Sequence, residues 1–347
     1  MTDKRKERLA PNGLVSLKDL AEHVGLTKGT VSAVLNDSPS SKAIPQATKD
    51  RIRAAARELN YRPNFFARSL RKKRTYTVGV ITEEIGDAYG GMVISGVEAF
   101  LSRQKYFFLT VAHRHDAHLL QQYSSILLSR GVEGIITVDT SLTDQPALPT
   151  VAVAGHRKVK GVTNIILDHA RAAQLALRHL VDLGHRRIAF IKGQPFSSDS
   201  TERWRSIGQV CKELGVEVKQ ERIVQLDDDD PSPQVGYRFT KELLARKVPF
   251  TALFAYNDIA AIGAIRCIRE QGLRVPEDIS VVGFDDIRDA AYHVPSLTTV
   301  RQPLRKMGEI AAETLIERIE GRKDYPTEIA VAPELVVRES SAGVAQG

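Results

Sequence analysis

The chain has 347 residues and a formal net charge of +7, but residues 1–75 hold 17 Lys and Arg against 7 Asp and Glu while the remainder holds 32 against 35. A basic head on a mildly acidic body suits a protein whose head alone meets a polyanion, and the length fits a small head plus a large body at roughly 100–200 residues per domain. Charges throughout the first thirty residues argue against a secretory signal, no run approaches the roughly 18 uncharged apolar residues of a membrane span, and two cysteines make no disulfide framework. The expectation is a cytoplasmic protein without a membrane partner, with Cys211 and Cys267 as buried structural thiols.

The first predicted helix covers residues 15–24. Ser16 is placed to cap it, and Asp19 stands three residues on as the acid of a capping box. Leu17, Leu20, Ala21 and Val24 recur at spacings of three and four and form one apolar stripe. Gly25 permits the left-handed turn that ends a helix. Thr27 is placed to cap a second helix, Lys28 to Leu35, whose apolar face is Val31, Val34 and Leu35. Two short helices about a glycine turn make the helix-turn-helix pattern, which lays its second helix in the major groove of DNA. A third helix is predicted at 46–59, behind Pro45, with Ala47, Ile52, Ala55, Ala56 and Leu59 inward and Lys49, Arg51, Arg53 and Arg57 in solvent. Ile44 stands where Ser or Asp would cap better, and Asn60 suits a left-handed stop.

From Thr77 the pattern changes. Short β-rich runs at 78–81, 107–111, 134–138, 151–153, 164–167, 188–191, 223–226, 252–255 and 279–284 alternate with amphipathic helical stretches at 91–104, 117–129, 170–183, 202–214, 234–246 and 259–270. This repetition predicts an α/β body of parallel sheets covered by helices on both faces, and about nine strands favour two doubly wound lobes over one.

Between head and body, Asn60-Tyr61-Arg62-Pro63-Asn64-Phe65-Phe66-Ala67-Arg68-Ser69-Leu70-Arg71 closely resembles the hinge segment of the LacI/GalR (lac-repressor) family of transcriptional regulators, in which N-Y-x-P-N precedes a hinge helix ending in A-x-x-L. The head is similar through V-S-L-K-D-L-A, G-L-T-K-G-T-V-S and V-L-N, and the body through the stretches at 183–191, 279–286 and 295–300, the last expected to return the chain to the first lobe. The resemblance covers almost the whole chain. It implies a periplasmic-binding-protein-like body of two lobes linked by crossovers. It also implies that paired hinge helices enter the minor groove, with Leu70 wedging between base pairs at a cost of a few kcal/mol recovered through extra contacts. Phe65 and Phe66 are bulkier than is usual there and pack either between hinge helices or against the body.

By the same resemblance Lys28, Gly29 and Ala33 hold base-reading positions, with Lys28 suited to guanine and Ala33 to a thymine methyl. Gly29 offers no side chain, which shifts specificity toward DNA deformation. Thr27, Thr30, Ser32 and Asn36 are read as phosphate-positioning groups, and Ser16, Asn64, Ala67 and Leu70 complete the DNA-contacting set. Effector contacts fall at strand ends, as in open α/β sheets generally: Tyr89, Ser197, Asp199, Arg203, Asn257 and Asp285. Arg203 offers a planar fork to a carboxylate or vicinal hydroxyls. Asp258 and Asp286 read better as helix caps or ion partners. The loop at 83–91 departs from the family's common N-P-F form, and Gly155-His156 stands where many of its members have an acidic sugar contact, with His156 either a substitute for it or a surface residue. The acidic run 227–230 reads as a solvated loop in preference to a cation site.

These observations predict residues 14–60 as a helix-turn-helix domain, 61–76 as hinge and linker, 77–339 as a two-lobed effector-binding and dimerisation domain, and 340–347 as a tail. The function expected is a sequence-specific, homodimeric regulator, most simply a repressor. It binds pseudo-palindromic double-stranded operator DNA under allosteric control by a small sugar-like or nucleobase-like ligand. A solute-binding protein would have no use for residues 14–70. An α/β enzyme lacks support, since there is no G-x-G-x-x-G after the first strand, no P-loop, no G-x-S-x-G and no metal-spaced His/Cys cluster. No catalytic residue, cofactor or metal is expected.

Overall fold

The computed structural model describes residues 15–62, 69, 73–227, 230 and 232–344. Asn64, Phe65, Phe66, Ala67 and Leu70, together with Asp228 and Asp229, lie outside the described residues. The chain divides into two compact units, Met1–Thr75 and Tyr76–Gly347.

The head holds α1 (Leu17–Val24), α2 (Lys28–Leu35) and α3 (Gln46–Glu58), with a short 3-10 turn at Pro39–Ala43. The Ser16 hydroxyl accepts from the Asp19 amide at 3.2 Å and the Asp19 carboxylate accepts from the Ser16 amide at 2.8 Å, so both halves of the capping box form. Gly25 closes α1 at φ 64°, and Asn60 follows α3 at φ 48°. The Thr27 hydroxyl accepts from the Thr30 amide at 3.2 Å and starts α2. The three apolar faces meet through Leu20, Val31, Val34 and Ile52, all essentially without solvent contact. Ser16→Ala is expected to cost about 1 kcal/mol, the usual worth of such a cap. Thermal unfolding of the isolated head in parallel with Ser16→Thr, which keeps the hydroxyl, checks this.

The body consists of two parallel-sheet lobes. The first contains β1 (Thr77–Thr82), α4 (Ala88–Arg103), β2 (Phe107–Ala112), α5 (Ala117–Ser129), β3 (Gly134–Val138), β4 (Thr150–Val153) and β5 (Val162–Leu167). The second contains α6 (His169–Asp182), β6 (Ile188–Lys192), α7 (Ser198–Glu213), β7 (Ile223–Gln225), α8 (Gln234–Ala245), β8 (Ala252–Ala255), α9 (Asp258–Glu270), β9 (Ser280–Asp285), α10 (Arg288–Tyr292) and β10 (Thr298–Arg301). The chain then returns to the first lobe for α11 (Leu304–Ile319) and β11 (Glu328–Val331) and crosses again for β12 (Glu334–Val336). The strand orders are β11-β5-β4-β3-β1-β2 and β12-β10-β9-β8-β6-β7, parallel throughout except for β10 against β12. The first core places Val93, Val97 and Leu101 of α4 and Met307 and Leu315 of α11 against Val78, Val80 and Ile136 of the sheet.

Three features differ from the expectation. The stretch at 295–300 does not return the chain to the first lobe, because Thr298 to Arg301 pair with Val282 to Asp285 inside the second sheet. The return follows Arg301. Residues 340–344, expected as a tail, are bound into the second lobe: the Ser340 hydroxyl donates to the Val281 carbonyl at 2.6 Å and the Val344 amide to the Leu183 carbonyl at 3.0 Å. Helix α11, which periodicity did not single out, is a wall of the first core. Cys211 and Cys267 are buried, and burial pushes the Cys211 thiol up to about 12. Among the described residues no helix is long and apolar enough to cross a membrane.

Candidate functional site

Strands of both lobes end at one cleft of about 890 Å³ measured out to its open mouth. Its first-lobe wall includes Glu84, Asp87 and Tyr89 after β1 and Asp139 after β3, and its second-lobe wall includes Ser197, Asp199, Arg203, Tyr256, Asn257 and Asp285. All six residues singled out as ligand contacts from the sequence therefore line a single cleft. Their local settings differ from a loop of donors. Helix α7 begins at Ser198, earlier than the apolar period suggests, because the Ser197 hydroxyl accepts from the Ser200 amide at 3.2 Å. That start puts Asp199 and Arg203 one turn apart on a buried helical face. Helix α4 likewise begins at Ala88 behind the Asp87 cap, so Tyr89 sits in a first turn. The Asn257 carbonyl oxygen caps α9 through the Ala260 amide at 2.8 Å.

Asp199 is the hub. Its Oδ2 accepts from Arg203 at 2.5 Å, and its Oδ1 accepts from Nε2 of His156 at 3.0 Å and of His169 at 2.9 Å. An ionised carboxylate only accepts, so both imidazoles present Nε2–H to it. Burial alone would raise the Asp199 carboxyl, but Arg203, His169 and the hydrogen bond from His156 overrule it and hold the group well below its ordinary range. His156 follows β4 of the first lobe, so its bond to Asp199 joins the two lobes. One ligand atom from each of His156, His169 and Asp199 lies within 4.8 Å of the others, a spacing that admits a metal ion. The guanidinium on the same carboxylate disfavours one. The His115 ring of the first lobe meets Phe196 of the second at a tilt of 55°, with centroids 4.1 Å apart.

Arg203 is deeply enclosed. Its guanidinium lies 3.6 Å from the Phe284 ring centre and 4.4 Å from that of Tyr256, and its Nη1 donates to the Tyr256 carbonyl. The two Nη groups expected to meet a ligand are thus committed to Asp199 and to backbone, while Nε has no hydrogen-bond partner among the described residues. Asp285, at the end of β9 with φ 114°, accepts from Gln302 Nε2 at 2.6 Å, and burial pushes its carboxyl well above the usual range. Asp258 is fully buried: it accepts from the Thr299 hydroxyl at 2.5 Å and the Ile287 amide at 2.9 Å, and holds β10 and the start of α10 to α9. Asp286 pairs with Arg301 at 2.7 Å and Arg338 at 2.6 Å. Both fill the structural roles the sequence favoured.

One group in the cleft was not legible beforehand, and a second was expected there without its loss of partners. Asp139 takes a left-handed φ of 43° at the end of β3, and burial, reinforced by Asp199 and Asp87, raises its carboxyl to about 7. The Tyr89 hydroxyl is buried with no hydrogen-bond partner among the described residues. Nothing local marks Asp139, and Tyr89, whose place in the wall the resemblance implies, loses water only where the two lobes meet.

Asp139 gives stability a pH dependence with a definite sign. The folded protein keeps this proton to about pH 7, while an exposed carboxyl releases it near 3.8, so folding takes up a proton between those values. Stability then falls as pH rises across that window. Asp258, raised to about 7 by burial, acts in the same direction. Asp139→Asn is expected to flatten the fall, with the urea midpoint unchanged near pH 4 and higher at pH 8. A midpoint lowered equally at both pH values would refute this account.

In the head, Lys28 and Gly29 are exposed at the start of α2, and Ala33 follows one turn later, half-buried. Thr27 and Thr30 share a hydroxyl contact of 2.9 Å, and Asn36 Nδ2 donates to the Ser32 carbonyl at 2.7 Å. Ser32 itself is buried, so its hydroxyl serves the head's interior more readily than a phosphate.

Residues 16–64 match the model of bacterial regulatory proteins of the lacI family, and residues 177–341 match a periplasmic binding protein-like domain. Over 338 residues the chain is 32% identical to the HTH-type transcriptional repressor PurR of Erwinia tasmaniensis, across 95% of this chain and 97% of that protein. It is 33% identical to PurR of Yersinia pestis over the same shares. Among solved structures, a lac repressor dimer bound to operator and the anti-inducer ONPF superposes with a TM-score of 0.84 at 26% identity, covering 95% of this chain and 100% of that one. The transcriptional regulator CelR with cellobiose gives 0.70 at 28% identity, covering 94% and 100%. A LacI family regulator from Enterococcus faecium with bound ribose gives 0.68 at 27% identity, covering 77% and 99%. A likeness that runs from the capping box of α1 to the last strand leaves one conclusion: the chain belongs to the LacI family, as a DNA-binding transcriptional repressor and not an enzyme, with a periplasmic-binding-protein-like effector domain.

Proposed function

We propose that the protein acts as a homodimer on a pseudo-palindromic operator and that a small polar ligand in the interlobe cleft sets its operator affinity. The observation that carries this reading is the His156–Asp199 bond, which ties the first lobe to the wall of the cleft in the second. A ligand contacting Tyr89, Ser197, Asn257 or Asp285 beside that bond changes the free energy of lobe closure, and differential affinity for two arrangements is all that allosteric control requires. Cellobiose and ribose in two relatives support a polar ligand. The operator-bound dimer of a third supports two-fold assembly, since one head reads only a half-site.

For DNA, Lys28, Gly29 and Ala33 would face bases. Ser16, Thr27, Thr30 and Asn36 would hold phosphates, with Ser32 supporting α2 from within. Asn64, Ala67 and Leu70 would enter the minor groove. Selection of bound sequences from random duplexes, followed by binding titrations on the selected site, tests the reading. Lys28→Ala is expected to weaken the selected site by about 1–3 kcal/mol and to relax preference at one base pair in each half. A uniform loss on all sequences would make Lys28 a phosphate contact. Selection of sites with no two-fold symmetry would refute the dimer.

A further inference from the structure

The charge balance of the cleft points to the charge of its ligand. Arg203 is the only Lys or Arg among the described residues that line it, and its charge is answered by Asp199, with Nη1 on the Tyr256 carbonyl between two aromatic rings and only Nε without a partner. Carboxylates dominate the rest of the charged lining. Asp87 is spent on capping α4, and Asp285 takes a hydrogen bond from Gln302. The Asp139 carboxylate receives no hydrogen bond from the described residues, and on the same wall the buried Tyr89 hydroxyl also lacks a partner. An anion entering here meets uncompensated negative charge. A neutral polyol can hydrogen-bond the Asp139 carboxyl but brings no charge to favour its ionised form. A protonated nitrogen offers several N–H donors and the missing positive charge together.

We propose that the cleft takes a small ligand bearing a protonated amine or amidine, seated against Asp139 and Tyr89, in preference to an anion or a neutral polyol. The inference rests on reading the cleft as the effector site. The groups that face Asp139 are Asp87 and Tyr89 from the segment after β1, Asp199 and Arg203 from α7, and His156 from the segment after β4. Burial holds the empty carboxyl near 7, and an ammonium beside it favours ionisation, so binding expels the Asp139 proton to solvent. For a ligand that stays protonated, affinity then rises about tenfold from pH 6 to pH 8.

The test uses the full chain and matched probes on one skeleton: butanediol, putrescine and succinate; glucose, glucosamine and glucuronate. Calorimetric titration is expected to show an aminated member binding at least tenfold more tightly than its neutral and acidic counterparts, with putrescine strengthening from pH 6 to 8. Asp139→Asn, checked to melt cooperatively and no lower than the parent at pH 6 and pH 8, is expected to cut that preference to threefold or less and to remove the pH slope. Equal or reversed order in both sets overturns the proposal, absence of binding by the amines included. Operator titration with the same probes separates the two readings. An amine that binds without changing operator affinity refutes the regulatory role and leaves the ligand class standing. A change produced only by the neutral or acidic members refutes the ligand class and leaves regulation standing.

Discussion

Asp199→Ala is expected to destabilise the two-lobed body by about 3–5 kcal/mol, the usual cost of removing one partner from a buried ion pair. Arg203 would be left with its charge buried between Phe284 and Tyr256 and no carboxylate to answer it. His169, also buried, would lose its Nε2 acceptor, and its Nδ1 already has no hydrogen-bond partner among the described residues. Asp199→Asn keeps the shape but not the charge, and is expected to recover only a minor part of the loss. His156→Ala removes just the interlobe arm, so about 1 kcal/mol is expected. Urea unfolding of the three variants checks the ranking, which a simple packing role for Asp199 would not produce. Because its carboxyl is held well below 3.8, the contribution of Asp199 is present at neutral pH and lost only in strong acid.

Helix α7 shows how far local signals reach. The apolar period predicts a helix from 202, and the structure begins it at Ser198, where a serine cap stops the backbone from fraying. Ser197, Asp199 and Arg203 are correctly grouped by proximity in the chain, but their chemistry is different from a row of ligand donors. Asp199 meets His156 and His169 at separations of 43 and 30 residues, and no local pattern encodes such a meeting. The result is that the fork of Arg203, attractive in the sequence as a ligand clamp, is turned inward.

Gly96→Val is the second large effect expected, at 3 kcal/mol or more, with failure to accumulate as folded protein a natural outcome. In the first lobe α4 and α11 touch backbone to backbone: a Cβ on Gly96 would overlap the Arg305 carbonyl, and one on Gly308 would overlap the Val93 carbonyl. Neither obstacle is a flexible side chain, so the helices must separate and open the core beneath Val93, Val97 and Met307. Gly91→Ala, on the same helix, is the matched control, because its Cβ meets nothing within 4 Å. Here a gain of up to about 1 kcal/mol is expected from helix propensity. Comparing soluble yield and urea midpoints of the two variants decides it; equal tolerance would mean that α4 and α11 separate at little cost.

What the amino-acid sequence determined by itself is what neighbouring residues enforce. Ser16 with Asp19, Gly25 and Thr27 set the helix-turn-helix through caps and a left-handed turn. Alternating periods built two parallel-sheet lobes, and the clustering of Lys and Arg before residue 76 separated a polyanion-binding head from the body. Only the tertiary structure decided which polar groups lose water. Asp139 and Asp285 are strand-end carboxylates of ordinary aspect until the two lobes enclose them in one cleft, and Asp199 is one more acidic residue until Arg203, His156 and His169 converge on it. Desolvation and pairing depend on groups far apart along the chain, whereas caps and periods depend on groups a turn apart. For that reason the site's positions could be read in advance, and its charge could not.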